Sequence, residues 1–249
     1  MKSALVTGAS EGIGRVFAKQ LAAEGFAVTA VARNEAKLQS LLAEIGPHHR
    51  ALVADLSTTE GQDKVIHALN ETPYDLLVNN AGVGTTGAFL DVALDRQVAM
   101  LRLNIEALVR LSYTYLKTAK AGNALVNVSS TLAFLPLPGL GLYSGTKAFV
   151  TSFSESLWFE QKKRGIFVMD LCPGITTTSF HVNSGGGTLD RDNPRFSQTP
   201  EQVVAVALRA LRARKKPTVI SGWHNNLLAS LSRLLPRRTA VSLMGTQVP

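Results

Sequence analysis

Short apolar runs alternate with amphipathic segments along most of this chain. The apolar runs have the length and composition of strands and lie at 3–7, 26–31, 50–54, 75–78, 124–128, 166–172 and 217–221. Between them, apolar positions recur at helical spacing, which predicts helices over 15–23, 34–45, from near Ser57, over 91–119, from near Tyr143 and over 200–214. Strands that are apolar throughout and alternate with helices indicate a parallel sheet covered on both faces. We therefore predict an α/β fold with a doubly wound, seven-stranded parallel sheet.

The domain organisation follows from the same pattern. No linker divides residues 1–222, so they are predicted to form one domain, with 223–249 as an extension of it. Residues 179–199 are polar and rich in glycine, which is typical of a mobile loop over a substrate site. His181, Asn183 and Arg195 of this loop are candidate polar contacts to a substrate, although isolated loop residues are commonly solvated.

The extension has a pattern of its own. Leucines at helical spacing over 223–235 are followed by Pro236, Arg237 and Arg238, which predicts an amphipathic helix with a basic end. Such a helix could pack on the domain or on a second subunit. It could also make peripheral contact with a membrane through residues 223–238.

Composition and charge narrow the class of protein. A hydrophobic content of 45% and a charged content of 18% over 249 residues indicate a globular protein with a sizeable core. The single cysteine, Cys172, allows no intrachain disulfide and favours the cytoplasm, and a first strand at residue 3 leaves no room for a signal peptide. The net charge of +8 favours anionic partners such as a phosphorylated cofactor. Basic residues are not interleaved with aromatic ones, so nucleic acid is not expected, and no metal site is predicted.

A glycine-rich turn, Gly8–Gly14, follows the first predicted strand and opens a helix. Glycines allow the backbone to approach a pyrophosphate closely, and the N-terminus of the helix offers free N–H groups. The second predicted strand ends at Ala32 and Arg33, where an acidic residue would bind the ribose 2′-hydroxyl of NAD. Since a guanidinium is available there for a 2′-phosphate, NADP is favoured over NAD, although Glu11 in the turn opposes this preference.

Polar residues follow two further strands. Asp55 is placed to bind the adenine amino group, or to cap the helix that begins near Ser57. Asn79 and Asn80 can bond a ribose, or can hold the end of the sheet through backbone groups. Because the carboxyl ends of parallel strands share one edge, the glycine turn, Arg33 and these residues are predicted to meet there.

Tyr143 and Lys147 are separated by one helical turn and share a face. A phenol with a pKa near ~10 is a poor acid or base at neutral pH, and a nearby ammonium lowers that pKa. The pair could therefore exchange a proton with an alcohol or a ketone. Asn104 lies in the middle of an apolar helical segment, where an asparagine requires a specific partner.

Together these motifs resemble the short-chain dehydrogenase/reductase family, of the single-domain, NAD(P)(H)-dependent type, over residues 2 to about 221. The resemblance implies a Rossmann-type fold, an oxidoreductase acting on CH–OH groups, a homo-dimer or homo-tetramer, and four catalytic residues, Asn104, Ser130, Tyr143 and Lys147. In such an enzyme Ser130 binds the carbonyl oxygen, Tyr143 donates the proton, Lys147 lowers the pKa of the tyrosine and holds the nicotinamide ribose, and Asn104 fixes a water molecule. The implied cofactor-binding residues are Gly8, Ser10, Glu11, Gly12, Ile13, Gly14, Arg33, Asn34, Asp55, Leu56, Asn80, Ala81, Gly82, Tyr143, Lys147, Pro173, Gly174, Ile175 and Thr178.

Apolar residues precede the Tyr143 helix and are candidates for the wall of a substrate pocket: Leu132, Phe134, Leu135, Leu137, Leu140 and Leu142. They favour an apolar carbonyl compound, such as a ketone, an aldehyde, a steroid-like ring or an acyl chain. Two other hypotheses stay open, a catalytically silent NADP-sensing or scaffold protein and a membrane-peripheral lipid reductase.

Overall fold

A seven-stranded parallel sheet forms the centre of the computed structural model, which describes residues 1–180, 184–185, 197–232 and 234–245. The strands are β1 (Ser3–Thr7), β2 (Ala27–Ala32), β3 (Arg50–Val53), β4 (Leu76–Asn79), β5 (Ala124–Val128), β6 (Phe167–Cys172) and β7 (Thr218–Ile220). Their spatial order is β3-β2-β1-β4-β5-β6-β7, and every neighbouring pair is parallel. The chain thus builds outward from β1 to one edge, then from β4 to the other, as predicted for a doubly wound fold. Ligands of such folds bind beside the carboxyl ends of the strands where the winding direction changes.

The helices agree with the predicted segments to within a few residues. They are α1 (Gly12–Ala23), α2 (Glu35–Ile45), α3 (Thr59–Glu71), α4 (Leu94–Leu101), α5 (Leu108–Thr118), α6 (Gly141–Gln161), α7 (Pro200–Ala213), α8 (Trp223–Ser232) and α9 (Arg237–Gly245). Side chains fix several starts: Asn34 caps α2, Thr58 caps α3, and Thr199 forms a capping box with Gln202 at α7.

Two predicted helices were wrong in detail. The helix expected over 91–119 begins at Leu94 and contains a π-helical segment, Arg102–Ala107, between α4 and α5. The helix expected over 223–235 ends at Ser232, and a second helix, α9, begins after Pro236. A proline lacks the N–H that a continuing helix needs, which accounts for the break.

Apolar side chains on the two faces of the sheet form two core clusters. On one face, Phe17 and Leu21 of α1, Leu38 of α2 and Val203 and Leu208 of α7 pack on the strands. On the other face, α3 and α5 supply Val65, Leu69, Leu111 and Tyr115. Within β1, Ala4 and Val6 join the first cluster and Leu5 joins the second, which is the alternation expected of a strand buried on both sides.

Buried amides connect the sheet to the helices that carry the candidate site. Asn79 of β4 donates hydrogen bonds of 3.0 Å to Ser112 of α5 and to Asn127 of β5. Asn127 in turn donates to Ser154 of α6 over 2.9 Å. Buried amides that are paired in this way favour a single arrangement of sheet and helices, so this row fixes α5 and α6 on the sheet.

Candidate active site

The three glycines of the turn between β1 and α1 stand where a side chain would not fit. Gly8 and Gly12 have φ values of +67° and +55°, a region that favours glycine. A Cβ placed on Gly14 would lie 2.3 Å from the carbonyl oxygen of Gly8. The backbone is therefore open where the N-terminus of α1 presents its free N–H groups, a suitable cradle for a pyrophosphate.

Asn80 holds this turn from the end of β4. Its Nδ2 donates to the carbonyl oxygen of Thr7 over 3.0 Å, and its backbone N–H donates to Thr7 Oγ1 over 2.9 Å. The backbone N–H of Ala81 donates to the same hydroxyl over 3.0 Å. Two roles were considered for Asn80, binding a ribose and holding the end of the sheet. These hydrogen bonds serve the second role.

Charged residues line the rim beyond β2 and β3. The guanidinium of Arg33 is largely exposed, and its Nη1 lies 3.8 Å from Asp55 Oδ2. Asp55 also accepts hydrogen bonds from the N–H and hydroxyl of Ser57, which form a local turn before α3. The capping role considered for Asp55 is wrong, because Thr58 caps that helix. Partial burial opposes ionisation of Asp55, but those hydrogen bonds and the charge of Arg33 hold its pKa below the usual value.

Lys37 is a rim residue that the sequence analysis missed. It lies one turn into α2, four residues after Arg33, and its Nζ is 2.6 Å from Glu11 Oε2 in the glycine turn. Both charges are about half exposed. Its position in the first turn of the helix that the sequence predicts directly after Arg33 could have revealed this second cation near the strand end.

Tyr143 and Lys147 lie on α6 and are both buried, with 7% and 5% of their surface exposed. Lys147 Nζ donates to the carbonyl oxygen of Val128 over 2.8 Å and lies 5.7 Å from the centre of the Tyr143 ring. Ser130 hydrogen-bonds to Tyr143, and its hydroxyl accepts a hydrogen bond from the N–H of Leu132. The structure thus brings the end of β5 and the start of α6 together around one phenol.

Asn104 lies in the π-helical segment and reaches the same place. Its side chain exchanges hydrogen bonds with both backbone groups of Val83, at 3.0 and 2.9 Å, and donates to Thr146 Oγ1 over 3.1 Å. A Cβ on Gly82 would lie 3.3 Å from Asn104 Oδ1 and 3.5 Å from Lys147 Nζ, so the two polar groups flank this glycine. These contacts explain an asparagine in an otherwise apolar helix.

The pKa of Tyr143 shifts in the direction opposite to the one expected from Lys147. Burial raises the pKa of the phenol above its ordinary value, and the hydrogen bond with Ser130 opposes this only partly. The expected lowering is wrong because burial dominates and the ammonium is directed to the Val128 carbonyl. Burial also lowers the pKa of Lys147 to about 8, against the attraction of Asp170 and Cys172. At neutral pH the phenol therefore keeps its proton and the lysine is mostly charged.

Asp170 is a second residue that the sequence analysis missed. It lies inside the apolar strand β6 with no exposed surface, and the thiol of Cys172 donates to its Oδ2 over 3.0 Å. Burial raises its pKa to about 6, and Glu155 adds to the rise, while the charge of Lys147 acts the other way. An aspartate in a buried strand is itself a sequence signal, because such a group is costly without a purpose.

A hydroxyl pair lies between Asp170 and Lys147. Thr151 of α6 is hydrogen-bonded to Asp170 and shares a 2.8 Å hydrogen bond with Ser129. Ser129 donates to the backbone oxygen of Lys147, also over 2.8 Å. Ser129, the neighbour of the predicted Ser130, thus bonds to α6 and is not among the groups around the Tyr143 phenol.

The predicted substrate wall and nicotinamide segment adjoin the same phenol. Of the six apolar wall residues, Leu135 is buried and the others are half-buried. A ring contact of 5.5 Å joins Phe180 to Tyr143, and a Cβ on Gly12 would lie 3.0 Å from Thr178 Cγ2, so the segment after β6 reaches the glycine turn. His181, Asn183, Arg195 and most of the loop 179–199 lie outside the described residues.

Within the described part of the chain, no three His, Cys, Asp or Glu side chains are grouped so that they could hold a metal ion. In the same part, none of the helices is both long and apolar enough to cross a bilayer.

Comparison with known proteins places this geometry in a family. The sequence model of the family described as "short chain dehydrogenase" matches residues 2–186. A very-long-chain 3-oxoacyl-CoA reductase of Anas platyrhynchos is 30% identical, over 97% of this chain and 78% of its own length. A 7beta-hydroxysteroid dehydrogenase of Mediterraneibacter gnavus is 31% identical, over 89% of this chain and 86% of its own. A short-chain dehydrogenase from Sphingobium yanoikuyae, solved in complex with NADPH, superposes with a TM-score of 0.82 at 29% identity, over 94% of this chain and 95% of that one. The chain therefore belongs to the short-chain dehydrogenase/reductase family of oxidoreductases.

Proposed function

We propose that this protein transfers a hydride between NADP(H) and the carbonyl or secondary alcohol of an apolar small molecule. The observation that carries the proposal is the convergence of Asn104, Ser130, Tyr143 and Lys147 beside a turn whose three glycines leave the backbone open. A protein that merely sensed the nucleotide would need the turn, but would not need a buried phenol next to a buried ammonium.

The bound dinucleotide would supply the hydride, and the chain would manage the proton and the charge. As the hydride reaches the carbonyl carbon, the electrons of the C=O bond move to oxygen, where the Ser130 hydroxyl donates a hydrogen bond. The phenol of Tyr143 then gives its proton to that oxygen. Because burial raises its pKa, the phenol carries this proton across the neutral range. Lys147 would hold the nicotinamide ribose, and Asn104 would fix a water molecule that returns a proton from solvent.

NADP is proposed over NAD on the basis of charge at the rim. Ala32 stands where a carboxylate would select for NAD, and Arg33 and Lys37 offer two cations to a 2′-phosphate. The relative from Sphingobium yanoikuyae was solved with NADPH, which agrees with this preference. Gly8, Gly12 and Gly14 would take the pyrophosphate.

The substrate is proposed to be an apolar ketone, aldehyde, steroid-like or acyl compound. Support comes from the apolar wall between Leu132 and Leu142 and from the names of two relatives, a 3-oxoacyl-CoA reductase and a hydroxysteroid dehydrogenase. Which of these classes is used would follow from a substrate panel that compares acyl and ring ketones of equal size.

A homo-oligomer in the cytoplasm is proposed as the working form. Large aromatic residues stay exposed on the outer faces of α5 and α6, where Tyr113 is 66% exposed and Phe149, stacked on Phe153, is 38% exposed. Such residues are enriched at subunit interfaces. Light scattering of the purified chain would distinguish this from a monomer.

The decisive experiment combines cofactor binding with turnover. Purified protein is titrated with NADPH and NADH by fluorescence and then assayed with a panel of apolar ketones and aldehydes. The Tyr143→Phe variant should still bind NADPH but lose turnover, since the ring is kept and the acidic proton is removed. A fully active Tyr143→Phe variant would refute the assigned role. NADPH binding without turnover of any carbonyl compound by the wild type would favour the silent sensor.

A further inference from the structure

Most of the large apolar side chains of the tail helices α8 and α9 are exposed and do not pack on the domain. The buried positions of these helices are small residues, Ala229, Ser232 and Ala240. Their large apolar side chains are instead 39% to 80% exposed: Trp223, Leu227, Leu228, Leu231, Leu234 and Leu235. We call these six residues the leucine face. Contiguous exposed apolar residues of this kind mark an interaction surface, because they add nothing to the core.

The spacing within α8 makes this face continuous. Trp223, Leu227 and Leu231 follow one another at intervals of four residues and therefore lie on one side of the helix. Leu234 and Leu235 extend the face into the turn before α9. A tryptophan at one end of such a stripe is typical of a membrane–water interface, where its ring is half apolar and half polar.

The charged residues that neighbour the leucine face in the sequence are all basic. All 18 acidic residues of the chain lie within 1–201, where 18 basic residues balance them, so the whole net charge of +8 comes from residues 202–249. Arg237 and Arg238 open α9 directly after the leucine face, and both are exposed. The cations of α7 lie elsewhere: Arg212 pairs with Glu24, and Arg214 donates to the carbonyl oxygens that precede β5.

We propose that the leucine face, together with Arg237 and Arg238, docks on the surface of an anionic lipid bilayer. A bilayer offers acyl chains to the leucines and phosphates to the guanidinium groups at the same time. A second copy of the chain fits less well. A two-fold contact through this face would place Arg237 and Arg238 near the tail of the other copy, and residues 202–249 contain no Asp or Glu side chain to pair with them.

Docking would bring the proposed substrate wall to the lipid. Asn225 of α8 fills the space beside Gly174, where a Cβ would lie 2.3 Å from its Nδ2. The hydroxyl of Ser232 lies 3.5 Å from the backbone oxygen of Phe134, within the wall. This consequence, access of an apolar substrate from the bilayer, rests on the proposed function, whereas the docking itself does not.

The test is flotation of the full chain with vesicles of phosphatidylcholine alone or mixed with phosphatidylglycerol. The protein should float with the mixed vesicles, and much less with the neutral ones. In each of the double variants Leu227→Glu/Leu231→Glu and Arg237→Glu/Arg238→Glu, the fraction bound to mixed vesicles should be about tenfold lower than in the wild type. The first variant removes the apolar contribution to binding, and the second removes the ionic contribution. Phe159→Glu, which changes an apolar residue of α6 that is 73% exposed, is the matched control and should float like the wild type.

Two controls separate docking from folding and from catalysis. Far-UV circular dichroism and thermal unfolding should be unchanged in the tail variants, since every substituted side chain is exposed. Tyr143→Phe should float like the wild type even though it is expected to lack turnover. The proposal is overturned if wild-type protein floats with neither vesicle. It is also overturned if light scattering finds a dimer that Leu227→Glu/Leu231→Glu dissociates, since the occupant of the face would then be a second copy.

Discussion

Replacement of Asp170 by asparagine tests how a buried carboxyl near Lys147 affects stability. Within the described part of the chain, Asp170 Oδ2 accepts a hydrogen bond from the weak thiol donor of Cys172, and Oδ1 accepts none. Burial therefore raises the pKa of this carboxyl from 3.8 to about 6. Asparagine has nearly the same shape and carries no charge.

The size and sign of the effect follow from that pKa. A rise of about two units means that the folded state binds the Asp170 proton more tightly than the unfolded state, by about 3 kcal/mol. Wild-type stability should therefore fall as the pH rises from about 4 through about 6, and the full cost should be present at pH 7 and above. Asp170→Asn removes this cost. Its free energy of unfolding should exceed that of the wild type by about 2–3 kcal/mol at pH 8, with the difference vanishing towards pH 4.

Urea unfolding of wild type and Asp170→Asn at several pH values between 4 and 8 measures this difference. Glu155→Gln is the matched control, because it removes a neighbouring negative charge that contributes to the raised pKa but leaves Asp170 in place. It should shift the wild-type transition towards lower pH with a smaller gain in stability. A difference between Asp170→Asn and wild type that does not change with pH would refute the reasoning.

Three further predictions concern the site directly. Arg33→Ala should raise the Kd for NADPH about 10- to 100-fold and leave the Kd for NADH nearly unchanged, since one charge-assisted contact is lost. Fluorescence titration measures both Kd values, with Arg50→Ala as the control. An equal rise in the Kd for NADH would contradict the prediction. Gly14→Ala should abolish cofactor binding in calorimetry, because its Cβ would meet the Gly8 oxygen at 2.3 Å, whereas Gly145→Ala, with open space around it, should bind normally. Carbonyl reduction should slow as the pH rises through about 8, where Lys147 loses its charge, and Lys147→Arg should lack this inflection in the pH–rate profile.

The alternation of strands and helices could be predicted from sequence because each element is buried by its own periodic pattern. The convergence of the glycine turn, Arg33, Asp55 and Asn80 followed from the single rule that parallel strands end at one edge. Lys37 was missed because its partner Glu11 lies 26 residues earlier in the chain, although its spacing from Arg33 was visible.

Other features depend on burial, which periodicity does not give. The raised pKa of Tyr143 reflects how completely α6 is covered, and the spacing to Lys147 alone predicted the opposite direction. Leucines at helical spacing in 223–235 predicted an amphipathic helix, but the pattern could not tell which face meets the domain. The alanines of α8 and α9 pack on the domain, and the leucines stay exposed.

The π-helical segment at Arg102–Ala107 has a consequence for how this site can change by insertion or deletion. A π turn accommodates one residue more than an α-helical turn. Deleting one residue within it would restore a regular helix while leaving α4 and α5 in nearly the same relative orientation, because the wider turn takes up the extra residue locally. Asn104 would then leave Val83 and Thr146, while the buried contact of Asn79 with Ser112 would still hold α5 in place. The extra residue of this one segment thus sets the position from which Asn104 reaches Val83 and Thr146, and chains that share the site should keep it even where the flanking helix sequence varies.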